Sequence, residues 1–97
     1  LRAALASDPG LPRAHERLGM IALAAGDAAS AVLELEAERA ASGDDPPPGL
    51  AFELGRAYAR LGDRDHARAA YRAELRRAPG HLEALDSLRV LEPEGGR

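Results

Sequence analysis

The sequence contains no cysteine, lysine, asparagine, glutamine, threonine or tryptophan, and only 3% of its 97 residues are aromatic. The absence of cysteine excludes disulfides, thiolate catalysis and cysteine-based metal sites. Valine and isoleucine are rare, so few residues favour β-strands. No apolar run approaches the roughly 20 residues that cross a bilayer, and we expect no membrane span. Alanine, a strong helix former, supplies half of the hydrophobic residues, which predicts an all-α chain.

The charge of the chain argues against nucleic acid as a partner, because the net charge is −3. The charges are unevenly distributed: stretch 27–45 holds six carboxylates against one arginine, whereas stretch 56–77 holds seven arginines against three carboxylates. Since the chain begins at Leu1, we expect it to be a piece of a longer or processed protein. The composition assigns no compartment; the cytoplasm and, for a filament subunit, the cell surface or extracellular space both fit it.

Proline and glycine divide the chain into segments of helix length. Breakers stand at 9–10, 26–27, 42–49, 62–63, 79–80 and 92–97. Good helix formers fill the segments between them, and Asp27 and Asp63 can each cap the helix that follows. The sequence therefore predicts helices over 1–7, 12–25, 28–42, 49–61, 64–77 and 81–91.

The chain also repeats itself after 36 residues. Aligning 18–43 with 54–79 without gaps pairs Leu18/Leu54, Gly19/Gly55, Gly26/Gly62, Asp27/Asp63, Ala31/Ala67, Ala37/Ala73 and Glu38/Glu74. One face of 49–61 carries Ala51, Leu54, Gly55, Tyr58 and Leu61. We predict that Gly19 and Gly55 admit the partner helix within each pair, and that Tyr58 and Tyr71 fill the space between neighbouring pairs.

The second unit resembles a tetratricopeptide repeat. It reads "AFELGRAY" at 51–58, then has Ala67 followed four residues later by Tyr71, and then Pro79. It departs from the family at Ala51, where an aromatic residue is usual. The resemblance implies an all-α, right-handed α-α superhelix of about two full repeats with partial repeats at both ends. It divides the single domain 1–97 into the end of a preceding repeat (1–10), a first repeat (12–43), a second repeat (48–79), a terminal helix (81–92) and a tail (93–97).

No combination of residues points to catalysis, a cofactor or a metal. The three histidines, His15, His66 and His81, stand apart from one another and from carboxylates at metal-ligand spacing. The four serines lack the strand–turn–helix setting that exposes a nucleophile. We therefore expect a protein that is not an enzyme and that has neither cofactor nor metal.

The resemblance implies a binding function, because the first helices of such repeats line a concave groove. The residues expected there are Arg13, Glu16, Arg17, Met20 and Leu23, then Phe52, Arg56, Ala59 and Arg60, then Glu83, Asp86 and Val90. Met20 and Phe52 would anchor apolar side chains, and the arginines would bind carboxylates. We expect a protein–protein interaction module, or scaffold, that holds a protein or peptide segment. An unoccupied solvent face is the alternative.

Four arginines, Arg64, Arg68, Arg72 and Arg76, follow one another at every fourth position. A solvated helix face is the simpler interpretation, and a docking surface for an acidic partner is the other. Like charges at this spacing repel each other. We therefore expect compensation from Glu34, Glu36 and Glu38 of the preceding repeat.

The two ends of the chain suggest a second function. Residues 1–7 resemble the second helix of a repeat that lacks its first, and 81–91 resemble a first helix that lacks its second. This would leave apolar side chains uncovered at Leu1 and Leu5 and at Leu82, Leu85, Leu88 and Leu91. Because the incomplete halves are complementary, copies would stack head-to-tail into a filament. In a longer protein, neighbouring sequence would supply the missing helices instead.

Overall fold

The computed structural model describes residues 14–44 and 46–91, and every regular element in these ranges is an α-helix. The helices are α1 (Ala14–Ala24), α2 (Ala28–Ser42), α3 (Leu50–Leu61), α4 (Arg64–Arg77) and α5 (Leu82–Leu91). Five of the predicted helices are thus confirmed, with bounds that differ by at most two residues. The helix predicted over 1–7 lies outside the described residues.

Local sequence determines where the helices begin and end. Oδ1 of Asp27 accepts a hydrogen bond from the backbone N–H of Ser30 at 3.1 Å, and Oδ1 of Asp63 accepts one from His66 at 3.2 Å. Both predicted N-caps are confirmed, and each satisfies an N–H group that a helix start leaves unbonded. Gly62 ends α3 with φ 92°, a left-handed backbone that glycine adopts without strain.

Each helix packs against the next one along the chain, and α1 also contacts α3. The molecule is elongated, with principal extents of 50 × 26 × 17 Å. The larger buried cluster joins α1, α2 and α3 through Leu23, Ala31, Leu35, Leu50, Leu54 and Ala57. A smaller cluster joins α4 and α5 through Ala67, Tyr71 and Ala84. The core therefore runs along the row of helices.

Two glycines let the helices of a pair come into contact, as the sequence predicts. A Cβ atom at Gly19 would lie 2.6 Å from Cγ of Leu35, and one at Gly55 would lie 2.6 Å from Cε1 of Tyr71. Both distances are well below the roughly 3.5–4.0 Å of a carbon–carbon contact. Tyr71 thus fills space inside its own pair, and its hydroxyl also reaches α5 through a hydrogen bond to Ser87.

The buried side of α3 is wider than the sequence predicts. Leu54 and Gly55 are buried as expected, but Leu50 and Ala57 are buried as well. Leu61, predicted on the same face, is 48% exposed. The reason is that α2 and α4 both pack against α3, so a single apolar stripe does not describe its buried surface.

Candidate binding surfaces

A shallow depression of about 230 Å³ lies between α1 and α3. We call it the α1–α3 surface, and it is lined by Met20, Leu23, Ala24, Glu53, Arg56 and Arg60. Glu53, Arg56 and Arg60 are three and four residues apart and therefore share one side of α3. The structure thus brings together four predicted groove residues from two helices: Met20, Leu23, Arg56 and Arg60.

Two arginines dominate the charge of the α1–α3 surface. Arg56 and Arg60 are both exposed, and Cζ of Arg56 lies 5.9 Å from the centroid of the Phe52 ring. Glu53 is the one carboxylate in the lining, so the surface has a net positive charge. Met20, which is 47% exposed, adds apolar area beside them. A segment with a carboxylate next to an apolar side chain is the chemical complement of this surface.

Two of the predicted groove residues are not open to a partner. Glu16 is only 2% exposed. Leu23 belongs to the larger core cluster and contributes only to the floor of the α1–α3 surface. The reason is that α1 packs against both α2 and α3, which covers positions that a helix with one neighbour would expose. Arg17 is exposed on the same helix, and Arg13 lies outside the described residues.

Phe52, which the sequence predicts as an anchor for a partner, is half-buried and packs against the smaller core cluster. The centroid of its ring lies 4.5 Å from that of His81 and 5.8 Å from that of Tyr71. These three rings connect α3 and α4 with the residue before α5. Burial raises the pKa of Tyr71, and the hydrogen bond to Ser87 opposes that effect. Phe52 therefore stabilises the contact between helices and keeps part of its surface exposed.

A second cavity, of about 280 Å³, lies between α2 and α4 above α3. We call it the α2–α4 pocket, and it is lined by Glu36, Arg39, Ala51, Leu54, Tyr58, His66, Ala69, Ala70, Ala73 and Arg76. Successive residues of an α-helix are about 100° apart around its axis. The α3 residues that line this pocket therefore lie roughly 160° around the helix from the α3 residues that line the α1–α3 surface. The two cavities therefore open on opposite sides of α3. No sequence motif predicts this pocket.

Polar side chains form one edge of the α2–α4 pocket. The hydroxyl of Tyr58 donates to Oε2 of Glu36 at 2.6 Å, and Nε of Arg39 donates to Oε1 of the same carboxylate at 2.8 Å. Burial, together with the hydrogen bond to Glu36, raises the pKa of Tyr58 to about 12. The His66 ring stacks on Tyr58 with centroids 4.9 Å apart, and its Nδ1 lies 2.7 Å from Oδ2 of Asp63. Tyr58 thus connects the two repeats, as predicted.

The arginine row of α4 finds partners within its own repeat and on α5. Arg68 forms an ion pair with Asp65, three residues before it. Arg64 and Arg68 also donate to the carbonyl oxygen of Leu91, at 3.4 and 3.3 Å. Guanidinium groups at this end of a helix stabilise the partial negative charge of its last carbonyl groups. At Arg64 and Arg68, these nearer partners replace the expected compensation from Glu34, Glu36 and Glu38.

Each histidine stands beside a carboxylate, which corrects the expectation drawn from linear spacing. The nitrogen–oxygen distances are 2.9 Å for His15 and Glu34, 2.7 Å for His66 and Asp63, and 3.8 Å for His81 and Glu74. Glu34 and Glu74 belong to other helices than their histidines, so sequence spacing does not reveal them, whereas Asp63 precedes His66 by three residues. Over 14–44 and 46–91, no group of three histidine, cysteine, aspartate or glutamate side chains is arranged to hold a metal ion.

The terminal helix α5 leaves part of its apolar surface open. Leu82 is 71% exposed and Val90 is 78% exposed. Leu88 and Leu91, which the sequence predicts as uncovered, pack against the smaller core cluster because α5 turns that side toward α4. Among the other predicted end residues, Leu85 is half-buried, and Leu1 and Leu5 lie outside the described residues.

In the described ranges, no helix combines the length and the hydrophobicity that crossing a membrane requires. Comparison with protein-family models gives no match, and neither the curated proteins nor the solved structures give a significant one.

Proposed function

We propose that this chain is a tetratricopeptide-like solenoid segment that acts as a non-catalytic protein-interaction module. Equivalent positions with equivalent packing support this proposal. Ala14 and Leu50 are the first residues of α1 and α3 and stand 36 residues apart; Ala84 follows 34 residues later as the third residue of α5, and all three are buried. Gly19 and Gly55 are likewise 36 residues apart, and both are in close contact with the second helix of their pair. Helices that repeat the same contacts stack into a solenoid.

The histidine–carboxylate pairs support a non-catalytic role because each has a structural task. His15 connects α1 to α2 through Glu34, and His66 contacts the N-cap residue of α4. His81 accepts a hydrogen bond at Nδ1 from the backbone N–H of Ala84 at 3.2 Å and so caps the start of α5. The proposed function involves no cofactor.

The α1–α3 surface is the observation that carries the binding proposal. Its two exposed arginines bind carboxylates through charge-assisted hydrogen bonds. Met20, Arg56 and Val90 occupy equivalent positions of α1, α3 and α5, 36 and 34 residues apart, and all three are exposed. At this position, the side chain is therefore apolar in α1, basic in α3 and apolar again in α5. The partner is an extended protein segment with acidic residues beside apolar ones.

A displayed library of random peptides tests this proposal. We expect the selected peptides to carry aspartate or glutamate next to an apolar residue, and to bind more weakly as salt screens the charges. Arg56→Glu with Arg60→Glu should reverse the preference toward basic peptides. The control is Arg77→Glu with Arg89→Glu, which makes the same change of charge at two exposed arginines outside the lining of either cavity. The proposal is wrong if the wild-type chain selects no such peptides, or if the Arg56/Arg60 variant selects the same ones.

Self-assembly is a second candidate function, and the exposure of Leu82 and Val90 favours it. An end of a solenoid with uncovered apolar side chains is typical of a repeat that continues into another unit. The other end of a second copy would cover these residues, and repeated head-to-tail contacts would extend into a filament.

In light scattering and electron microscopy, Leu82→Glu with Val90→Glu should abolish the assemblies. Leu33→Glu, at an exposed leucine of α2, is the control. A wild-type chain that stays monomeric when concentrated excludes this candidate.

A further inference from the structure

The two repeats differ at one place between their helices, and the difference produces the α2–α4 pocket. In the first repeat, Nδ1 of His15 and Oε1 of Glu34 are 2.9 Å apart. The residues 36 positions later are Ala51 and Ala70, and both line the pocket. Two methyl groups thus stand where the first repeat has a pair of longer polar side chains. Because the same packing accommodates both arrangements, the cavity is not a requirement of the helix contacts.

The pocket is large enough for a small organic molecule. A dry cavity of about 150 Å³ is sufficient to bind benzene, and the α2–α4 pocket measures about 280 Å³. Its lining includes the methyl groups of Ala69, Ala70 and Ala73 and the rings of Tyr58 and His66, which stack on each other. Aromatic rings gain additional stabilisation from contact with other rings. The lining therefore favours an aromatic molecule over an aliphatic one.

One positive charge at the pocket is available for a ligand. Arg39 lines the pocket but is ion-paired with Glu36. Arg76 lines it too, and among the described residues it has neither a hydrogen-bond nor an ion-pair partner. A guanidinium group binds a carboxylate with two parallel hydrogen bonds. An anion therefore complements the pocket, whereas a cation would be repelled.

We infer that the α2–α4 pocket binds a small aromatic carboxylate. The ring lies among the alanine side chains next to Tyr58 and His66, and the carboxylate is bound by Arg76. The pocket is on the opposite side of α3 from the α1–α3 surface. Binding here is therefore independent of any peptide bound there, and either proposal can fail without the other.

An NMR titration of the 97-residue chain with indole-3-acetate tests this inference. We expect saturable changes in the backbone amide signals of Ala69, Ala70 and Ala73, and little change at Met20 on the α1–α3 surface. Tryptamine has the same ring system but a positive charge. We expect it to bind roughly tenfold or more weakly, because it loses the charge-assisted bond to Arg76.

Two sets of variants locate the site. Ala51→His with Ala70→Glu rebuilds the pair of the first repeat and should abolish binding by filling the pocket, with helical content unchanged in circular dichroism. Arg76→Gln removes the charge at an exposed position, where folding is not at risk, and should weaken binding roughly tenfold or more. Arg77→Gln makes the same change at the next residue, outside the pocket lining, and should leave the affinity unchanged.

Any of four results overturns the inference. These are the absence of saturable shifts, equal binding of tryptamine, unchanged binding when the pocket is filled, and equal affinities of Arg76→Gln and Arg77→Gln. If Ala51→His with Ala70→Glu does not fold, the comparison of the two arginine variants still decides the matter, because both changes are on the surface.

Discussion

Replacing Gly55 with alanine adds one methyl group at the closest contact between α3 and α4. The new Cβ would lie 2.6, 2.7 and 2.9 Å from three ring atoms of Tyr71. The ring is buried, it packs beside Phe52, and its hydroxyl is bonded to Ser87, so it has little room to move. To reach an ordinary contact distance, these ring atoms would have to retreat by about 1 Å.

The magnitude of this effect follows from two opposing contributions. Alanine in a helix interior is favoured over glycine by about 1 kcal/mol, whereas overpacking a core costs about 1–3 kcal/mol. Because the neighbour is a confined ring, we place the overpacking cost at the upper end. Gly55→Ala should therefore lower the free energy of unfolding by about 1–2 kcal/mol. In a domain of this size the melting temperature would fall by roughly 4–16 °C.

Urea and thermal unfolding, followed by circular dichroism, measure this loss. Gly80→Ala is the control, since a Cβ there would have no atom within 4 Å. That change should be neutral or should stabilise the chain by up to about 1 kcal/mol, because it restricts the unfolded state. If Gly55→Ala is as stable as Gly80→Ala, the two helices do not touch at Gly55 and the reasoning fails.

Two further predictions concern a helix cap and a tyrosine. Asp63→Ala removes the N-cap of α4 and should lower the free energy of unfolding by about 1 kcal/mol. The control is Asp86→Ala at an exposed position of α5, which should change the free energy of unfolding by less than about 0.5 kcal/mol. Equal losses of the two variants in urea unfolding would contradict the capping role. The pKa of Tyr58 is raised from 10.0 to about 12, so its stabilising contribution is complete below pH 10.0 and is lost as the pH rises toward 12. Tyr58→Phe should therefore reduce the loss of stability over that range, and an unchanged pH profile would show that Tyr58 is not its source.

Helix bounds could be predicted because capping depends on a few adjacent residues. Asp63 and Gly62 act on the backbone within one turn, and sequence alone shows them next to each other. Exposure could not be predicted equally well. Glu16 lies on a helix with two neighbours, and the extent of its burial depends on where α2 and α3 lie. A resemblance to a repeat family locates the first helices without giving these contacts.

The α2–α4 pocket could not be predicted from the sequence either, because it also depends on how the helices pack. The aligned repeats already contain the signal, since Ala51 and Ala70 correspond to His15 and Glu34. However, these residues are 19 positions apart in each repeat, and only the packing of one helix on the next shows that His15 and Glu34 are in contact. The position of Arg76 at the edge of the same cavity likewise depends on the crossing of α4 and α2.

Packing of each helix against its neighbour in sequence also has a kinetic consequence. Residues 25–27 connect α1 to α2, and residues 62–63 connect α3 to α4. Short loops of this kind close within nanoseconds to microseconds, and chains whose contacts are mostly local fold quickly. For the same reason, α5 can detach while α1, α2 and α3 keep their contacts. A partner bound across α1 and α3 would hold these two helices together, and it would slow their separation without slowing the detachment of α5.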